Sequence, residues 1–317
     1  MENNQEFIIS GTNDKLWNLT KFVQYLATNQ NTHIVLSVNP EAICLDTLGV
    51  YKLLDNFKFN QVDIYTENQL EKHDKYNIVV NTANRFLAHV PNIDPELHNW
   101  NQKKTFLVFF HRPTASRLGI ASYLFNNYKE LSHIHFNAEN DDDALQLYEF
   151  DKLIQLRKES LTEVANIFPH LPLTAYSNAT VERIMCWYDY DAGIEMYQDV
   201  FVDIVGETHV VGNTFYSTEK TIRPMWLKKP FIIFAAKNHL DYLHQMGFKT
   251  FCNFWSEDYD GYEGRDRLLR IIDLIDSLAA KSVSELNDIY CGMHDILDHN
   301  YNLLLTQSYN KKITPIL

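Results

Sequence analysis

The sequence predicts an α/β protein built from two parallel sheets, and three observations support this fold class. Short apolar runs rich in β-branched residues alternate with segments whose apolar residues recur at helical spacing. The alternation fills the first third of the chain and resumes after a loop at residues 91–102. The 317 residues are too many for one ordinary core, since single domains usually run to about 100 to 200 residues. We therefore expect two Rossmann-like domains.

The first third of the chain contains the β-α-β alternation. FIISG and THIVLSVN are expected strands, and LWNLTKFVQYLATN between them is an expected helix. The apolar residues of this helix recur on one face: Leu16, Leu19, Phe22, Val23 and Leu26. A helix near residues 45–54 and strands at QVDIYT and YNIVVNTA continue the pattern. Apolar strands separated by helices imply a parallel sheet that is covered on both faces.

A second series of elements begins after Gln102, where we place the domain boundary. An apolar strand at residues 106–110 leads into a helix with these residues on one face: Leu118, Ala121, Leu124 and Phe125. Residues 138–180 are acidic and weakly periodic, and we expect them to form a helical insertion. The later elements are strand VFVDIVGE, strand KPFIIFA, helix HLDYLHQMG, strand KTFCNF and helix RDRLLRIIDLIDSLAAK. The predicted domains are residues 1–102 and 103–280, with a helical tail at 281–317.

Charge and cysteine content bear on partners and compartment. The formal net charge is −13, from 41 acidic and 28 basic residues, and such a surface repels nucleic acid unless a local basic patch overrides it. The four cysteines show no metal-ligand spacing, as expected of thiols in a reducing compartment. The N-terminal MENNQEF has no signal-peptide pattern, and no apolar run approaches the roughly 18 residues of a membrane span. We expect a cytoplasmic protein without a membrane span.

The segment HRPTASR follows the apolar strand of the second half. In an α/β sheet, ligands bind beyond the carboxyl ends of strands, and the next helix offers free N–H groups to a phosphate. Arg117 stands at that place, and a guanidinium can bind a diphosphate with two parallel hydrogen bonds. Arg112 is a second candidate. The alternative is a surface arginine near an ordinary helix start.

The segment YSTEK places adjacent opposite charges at an expected helix start. Thr218 is an expected N-cap, which puts Glu219 and Lys220 in the first turn. The helix dipole favours Glu there but not Lys, so Lys220 needs another reason, and a bound phosphate is one. Glu219 has two oxygens that match the ribose diol, and the phenol of Tyr216 can donate to a phosphate. The alternative is a capped helix with a solvent-exposed ion pair.

These residues resemble a known family. Tyr216 to Lys220, followed by the apolar strand at residues 229–233, resemble the Y-x-T-E-K donor motif of α-1,3-fucosyltransferases, over roughly residues 104–278. The resemblance implies that Arg117, Tyr216 and Lys220 contact the nucleotide diphosphate and that Glu219 contacts the ribose. Two Rossmann-like halves also resemble the GT-B architecture, in which a nucleotide-sugar binds the C-terminal half and the acceptor faces the N-terminal half. Phe234-Ala235-Ala236 replaces the glycine that usually follows this strand.

The expected activity is glycosyl transfer from a nucleotide-diphospho-sugar to the hydroxyl of a saccharide or another acceptor. We expect an inverting, metal-independent reaction that uses no cofactor beyond the donor. An inverting reaction needs a carboxylate as general base. The candidates are Glu67, Asp94 and Glu96, and Glu207, which ends a strand, could also face the donor sugar.

Several alternatives remain open from the sequence. Asp189 and Asp191 have the spacing of a metal-binding DxD pair. A DNA base of the phage type is a rival acceptor, since three lysine pairs could form a basic face: residues 103–104, 228–229 and 311–312. A protein with the same fold could also bind nucleotide-sugars without turnover. The aromatic and acidic segment at residues 255–267 is either a loop that faces the substrate or a packed turn.

Overall fold

The structure is a computed structural model that describes residues 6–10, 19–39, 43–81, 90, 100–110, 114–136, 166–173 and 190–313. Contacts divide the chain into two compact units. Unit 1 comprises Met1–Arg85 and Thr208–Thr218, and unit 2 comprises Phe86–Glu207 and Glu219–Leu317. The predicted domain limits at residues 102 and 280 stay predictions. Within the described residues, no helix is both long and apolar enough to cross a membrane.

Unit 1 contains a four-stranded parallel sheet in the order β1-β2-β3-β4. Its strands are β1 (Glu6–Ser10), β2 (His33–Asn39), β3 (Gln61–Thr66) and β4 (Asn77–Val80). Its helices are α1 (Leu19–Thr28) and α2 (Val50–Leu54). Phe22 and Leu26 of α1 and Leu54 of α2 pack on Leu36 and Ile64 of the sheet in one core. The predicted βαβ alternation of this half is confirmed.

One row of the unit 1 sheet differs from the prediction that both faces are covered. Ile8, Tyr65 and Val79 lie in register across the sheet, and their exposed fractions are 59%, 45% and 37%. In β3, Val62 and Ile64 on one face are buried, whereas Tyr65 on the other face is exposed. The side chains of these three residues are therefore exposed on the second face of the sheet: Ile8, Tyr65 and Val79.

Unit 2 contains a second parallel sheet in the order β6-β5-β7-β8. Its strands are β5 (Lys104–Phe110), β6 (Ser132–Phe136), β7 (Val200–Gly206) and β8 (Phe231–Phe234). Every residue of β7 and β8 is buried, in keeping with sequences that are apolar except at Asp203. The helices are α3 (Ala115–Asn127), α4 (Tyr190–Gln198), α5 (Glu219–Trp226), α6 (His239–Gln245), α7 (Gly264–Ala279), α8 (Val283–Gly292) and α9 (His294–Ile313).

Two elements of unit 2 differ from the sequence analysis. The predicted strand KTFCNF is a turn, in which the N–H groups of Phe254 and Trp255 donate to the carbonyl of Phe251. Its apolar residues serve packing, since the rings of Phe251 and Phe231 lie 5.0 Å apart. The sequence analysis did not identify β6, whose two histidines interrupt the apolar pattern; His135 is buried and stacks on Phe109.

The predicted helical insertion lies largely outside the described residues. Residues 166–173 are described and include a 3-10 turn at Phe168–His170. Leu173 forms an antiparallel bridge with Phe136, the last residue of β6. The insertion itself stays a prediction.

Candidate functional site

Arg117 lies in the first turn of α3, directly after the strand β5, as the sequence predicts. The N-cap Thr114 accepts a hydrogen bond from the backbone N–H of Arg117 at 3.4 Å. The side chain of Arg117 is only 3% exposed, so the alternative of a surface arginine is wrong. Its Nη2 donates to the carbonyl oxygens of Gly206 at 2.7 Å and Glu207 at 3.1 Å. Arg117 therefore ties the start of α3 to the carboxyl end of β7.

Gly206 allows Arg117 to approach the strand this closely. A Cβ atom at Gly206 would lie 3.0 Å from Cγ of Arg117 and 3.0 Å from Cε1 of Phe110. Any larger side chain would have to displace one of these two neighbours. The sequence offered only a weak signal of this requirement, a glycine at the end of an otherwise apolar strand.

Glu207 connects the end of β7 to the start of α5. Its carboxylate accepts a hydrogen bond from the hydroxyl of Thr221 at 2.5 Å, and its carbonyl accepts the bond from Arg117. Glu207 and Thr221 are both buried. Arg117 and the first turn of α5 thus meet at one buried residue, at the sheet edge where ligands of α/β proteins collect. The role of Glu207 toward a sugar stays a prediction.

Glu219 and Lys220 begin α5, as the sequence predicts, and they bind each other. The Nζ atom of Lys220 lies 2.6 Å from Oε1 of Glu219. Their side chains are 16% and 9% exposed, so this ion pair is largely withdrawn from solvent. Burial raises the pKa of Glu219, but the charges of Lys220 and Arg223 outweigh it and hold the pKa below its ordinary value. Glu219 is thus the charge partner that Lys220 needs at a helix start.

A buried network that the sequence analysis missed lies behind this first turn. Nε of Arg223 in α5 donates to the hydroxyl of Tyr197 at 2.8 Å, and that hydroxyl donates to the carboxylate of Asp203 in β7. The guanidinium of Arg223 also lies 4.8 Å from the ring centre of Phe109. Burial raises the pKa of Asp203 to about 6, although the Arg223 charge and the Tyr197 bond act in the opposite direction. The network anchors α5 to the sheet.

The remaining predicted site residues lie in unit 1 or outside the described residues. Tyr216 and Thr218 are buried and belong to unit 1. Glu67 is half-buried and follows β3, also in unit 1. The other candidates lie outside the described residues: Arg112, Asp94, Glu96 and Asp189, together with the side chain of Asp191. Their roles stay predictions.

The segment at residues 255–267 is packed at Asp260 and Arg267, which supports the alternative of a packed turn. Arg267 is fully buried and donates to Asp260 at 2.8 Å and to the carbonyl of Ile233, in β8, at 2.8 Å. The second carboxylate oxygen of Asp260 accepts the backbone N–H of Leu240, in the first turn of α6. Arg267 and Asp260 thus connect the end of β8 with α6 and α7. In the described ranges, no three His, Cys, Asp or Glu side chains are grouped so that they could hold a metal ion.

Comparison with known proteins adds little to this geometry. The sequence matches no model of a protein family and no curated protein. Among solved structures, the chain is similar to a glycosyltransferase from Rickettsia africae ESF-5, with 12% identity and a TM-score of 0.34, over 95% of this chain and 82% of that chain. Similarity at this TM-score carries no argument about fold or function, so both are inferred from the residues themselves.

Proposed function

We propose that the protein is a glycosyltransferase that binds a nucleotide-diphospho-sugar at the carboxyl edge of the unit 2 sheet. The observation that supports this proposal is the junction of Arg117, Glu207 and the first turn of α5, which bears Glu219 and Lys220. It places two cations and the N-termini of two helices at the sheet edge where parallel α/β proteins bind anionic ligands.

The proposed chemistry follows from charge development on the leaving group. When the sugar leaves, the nucleotide diphosphate gains negative charge, and fixed cations stabilise it most in a site that excludes water. Arg117 and Lys220 are the proposed cations. Glu219 would turn one carboxylate oxygen toward the ribose while it holds Lys220 with the other. The reaction would be inverting and metal-independent, with an acceptor hydroxyl deprotonated by Glu67, Asp94 or Glu96.

Glu207 is the weaker candidate for the general base. Its carboxylate already accepts the hydroxyl of Thr221. A base has to reach the acceptor hydroxyl directly or through one water molecule. We therefore assign Glu207 to holding α5 and the end of β7 together. The resemblance to α-1,3-fucosyltransferases makes a fucosyl donor the first one to test.

The alternative of a DNA-base acceptor receives no support from the lysine pairs. Lys229 is fully buried, and buried Lys228 lies 3.1 Å from a carboxylate oxygen of Asp298. Lys103 lies 2.8 Å from Asp199, and Lys104 donates to a backbone carbonyl. The side chains of the third pair, at residues 311–312, lie outside the described part of the chain. Two of the three pairs are therefore engaged within unit 2.

The proposal is tested by thermal shift with UDP, GDP, their sugars and the bare nucleosides. A ligand that binds only the native state raises stability with the logarithm of its concentration over its Kd. We expect one diphosphate and its sugar to raise the Tm while the nucleoside does not. Arg117→Ala should reduce the affinity for that diphosphate by about one to two decades, because charged hydrogen bonds are worth roughly 1.5 to 3 kcal/mol each.

The matched control is Lys129→Ala, which removes an exposed cation of unit 2 that precedes the start of β6, at the opposite edge of the sheet. It should bind the diphosphate like the wild type. A panel without any stabilising nucleotide would overturn the proposal. Stabilisation by a nucleotide-sugar, without hydrolysis or transfer of its sugar to any acceptor in a glycan panel, would favour a binding protein over an enzyme.

A further inference from the structure

We propose that Asn68 is a positioning residue that holds the segment leading into Tyr216 and so fixes the first half of the predicted donor motif. Its contacts lie within unit 1, which includes residues 208–218. The consequence for ligand binding rests on the proposed function, whereas the contacts themselves do not.

The amide of Asn68 is saturated with hydrogen bonds. Asn68 is fully buried and follows the end of β3 by two residues. Its Oδ1 accepts the backbone N–H groups of Leu70 at 3.2 Å and Phe215 at 3.1 Å. Its Nδ2 donates to the carboxylate of Glu71 at 2.9 Å and to the carbonyl of Asn213 at 2.9 Å. A primary amide has two donors and two acceptor lone pairs, so this side chain has one partner for each.

The segment before Tyr216 is held at two further points of unit 1. The backbone N–H of Gln69 donates to the carbonyl of Phe215 at 3.3 Å, so both polar backbone groups of Phe215 are bonded to residues 68–69. Gly212 has a φ of +82°, and a Cβ there would lie 2.4 Å from the hydroxyl of Thr47. Residues 212–215 therefore have little freedom to shift, and Tyr216 is the next residue.

Glu71 fixes which way the Asn68 amide faces. It accepts the hydroxyl of Tyr51 at 2.6 Å and the backbone N–H of Leu45 at 3.3 Å. Burial, followed by the bond to Glu71, raises the pKa of Tyr51, so its hydroxyl remains a donor. An ionised carboxylate only accepts hydrogen bonds. The NH2 group of Asn68 must therefore face Glu71, which leaves Oδ1 for Phe215.

This arrangement requires an amide at position 68. Aspartate would keep an acceptor for Phe215, but it would place a carboxylate oxygen against the carboxylate of Glu71 and the carbonyl of Asn213. The segment would then be released on one side while its backbone partner at Gln69 remained. Because Tyr216 directly follows this segment, such a release should be measurable in ligand binding if Tyr216 contacts the diphosphate.

The test compares Asn68→Asp with Tyr51→Phe, which removes another bond to Glu71 and leaves the bonds of Asn68 to Asn213 and Phe215 in place. We expect Asn68→Asp to speed amide hydrogen exchange in peptides covering residues 212–218 and to weaken UDP or GDP binding about tenfold, within the range of couplings in shared networks. Tyr51→Phe should lower the Tm and leave both readouts unchanged. Tyr216→Phe should cost less affinity in the Asn68→Asp background than in the wild type.

Each outcome decides the inference. The inference would be overturned if Asn68→Asp changed neither amide hydrogen exchange at residues 212–218 nor the affinity for UDP or GDP. It would also be overturned if Tyr51→Phe changed both readouts as much as Asn68→Asp does. If the wild type binds neither UDP nor GDP, the proposed function fails, and exchange at residues 212–218 alone decides whether Asn68 holds the segment. If Asn68→Asp does not fold, Gly212→Ala displaces the same segment from the Thr47 side, and the same two readouts apply.

Discussion

At the scale of single residues, the ion pair of Glu219 and Lys220 gives a sharp prediction. Glu219→Ala should lower the free energy of unfolding by about 1 to 3 kcal/mol, because largely buried Lys220 loses the carboxylate beside it. The helix dipole alone would account for about 0.3 to 1 kcal/mol. Urea unfolding measures the difference. The double variant with Lys220→Met should lose less than the sum of the two single variants.

The control for this prediction is Asp266→Ala. Asp266 is also an acid in the first turn of a helix, but it is exposed. Asp266→Ala should lower the free energy of unfolding by no more than the helix dipole effect, about 0.3 to 1 kcal/mol. If Glu219→Ala costs no more than Asp266→Ala, the ion pair contributes nothing beyond its position at a helix start.

The residues of the candidate site were only partly predictable from the sequence. Arg117, Glu219 and Lys220 were placed correctly at helix starts, because capping residues and apolar strands are local signals. The sequence allows an ion pair of Glu219 and Lys220 but places it at the surface, whereas the structure largely buries it, because burial depends on the fold. Gly206 and the Arg223 network were missed, because their contacts join residues that no local pattern relates.

At the scale of secondary structure elements, the hydroxyl of Tyr197 links α5 to β7. Tyr197→Phe should lower the free energy of unfolding by about 1 to 3 kcal/mol, because buried Arg223 and Asp203 both lose a hydrogen-bond partner. Thermal or urea unfolding tests this. Tyr262→Phe is the matched control, since Tyr262 is 39% exposed and lies in the same unit. Equal effects of the two substitutions would contradict the anchoring role.

The elements themselves show where sequence patterns succeed. Buried central strands such as β5 and β7 were predicted because most of their positions are apolar. The edge strand β6 was missed because its histidines break that pattern, even though one of them is buried. The turn KTFCNF was predicted as a strand because aromatic residues are typical of strands, and they are equally typical of segments that pack against a sheet. Composition alone does not distinguish these two uses of an apolar residue.

At the scale of the whole molecule, we expect buried Lys229 to make the free energy of unfolding depend on pH. Burial lowers its pKa from the ordinary 10.5 to about 7, although the charge of Asp199 acts in the opposite direction. Between these values the unfolded chain binds a proton that the folded protein does not. Stability should therefore fall as pH falls from 10.5 to about 7, by at most about 1.4 kcal/mol per pH unit from this one group.

Lys229→Met should raise the Tm at pH 7 and flatten the dependence above it. The Nζ atom lies 4.7 Å from the ring centre of Tyr290, and a thioether also packs well against an aromatic ring. Scanning calorimetry between pH 7 and pH 10, with Lys237→Met as the exposed control, measures the effect. Parallel curves for the wild type and Lys229→Met would show that this amine does not titrate differently on folding.

The return of residues 208–218 to unit 1 has a consequence for the order of events during synthesis. Buried Asn68 finds partners only in Asn213 and Phe215 for two of its side-chain bonds, and these residues are translated more than a hundred residues later. At about 5 to 20 residues per second, the ribosome needs on the order of ten seconds to supply them. Asn68 cannot form these two hydrogen bonds while the nascent chain ends within β7, so unit 1 acquires its final set of hydrogen bonds only after β5, β6 and β7 of the second sheet have been synthesised.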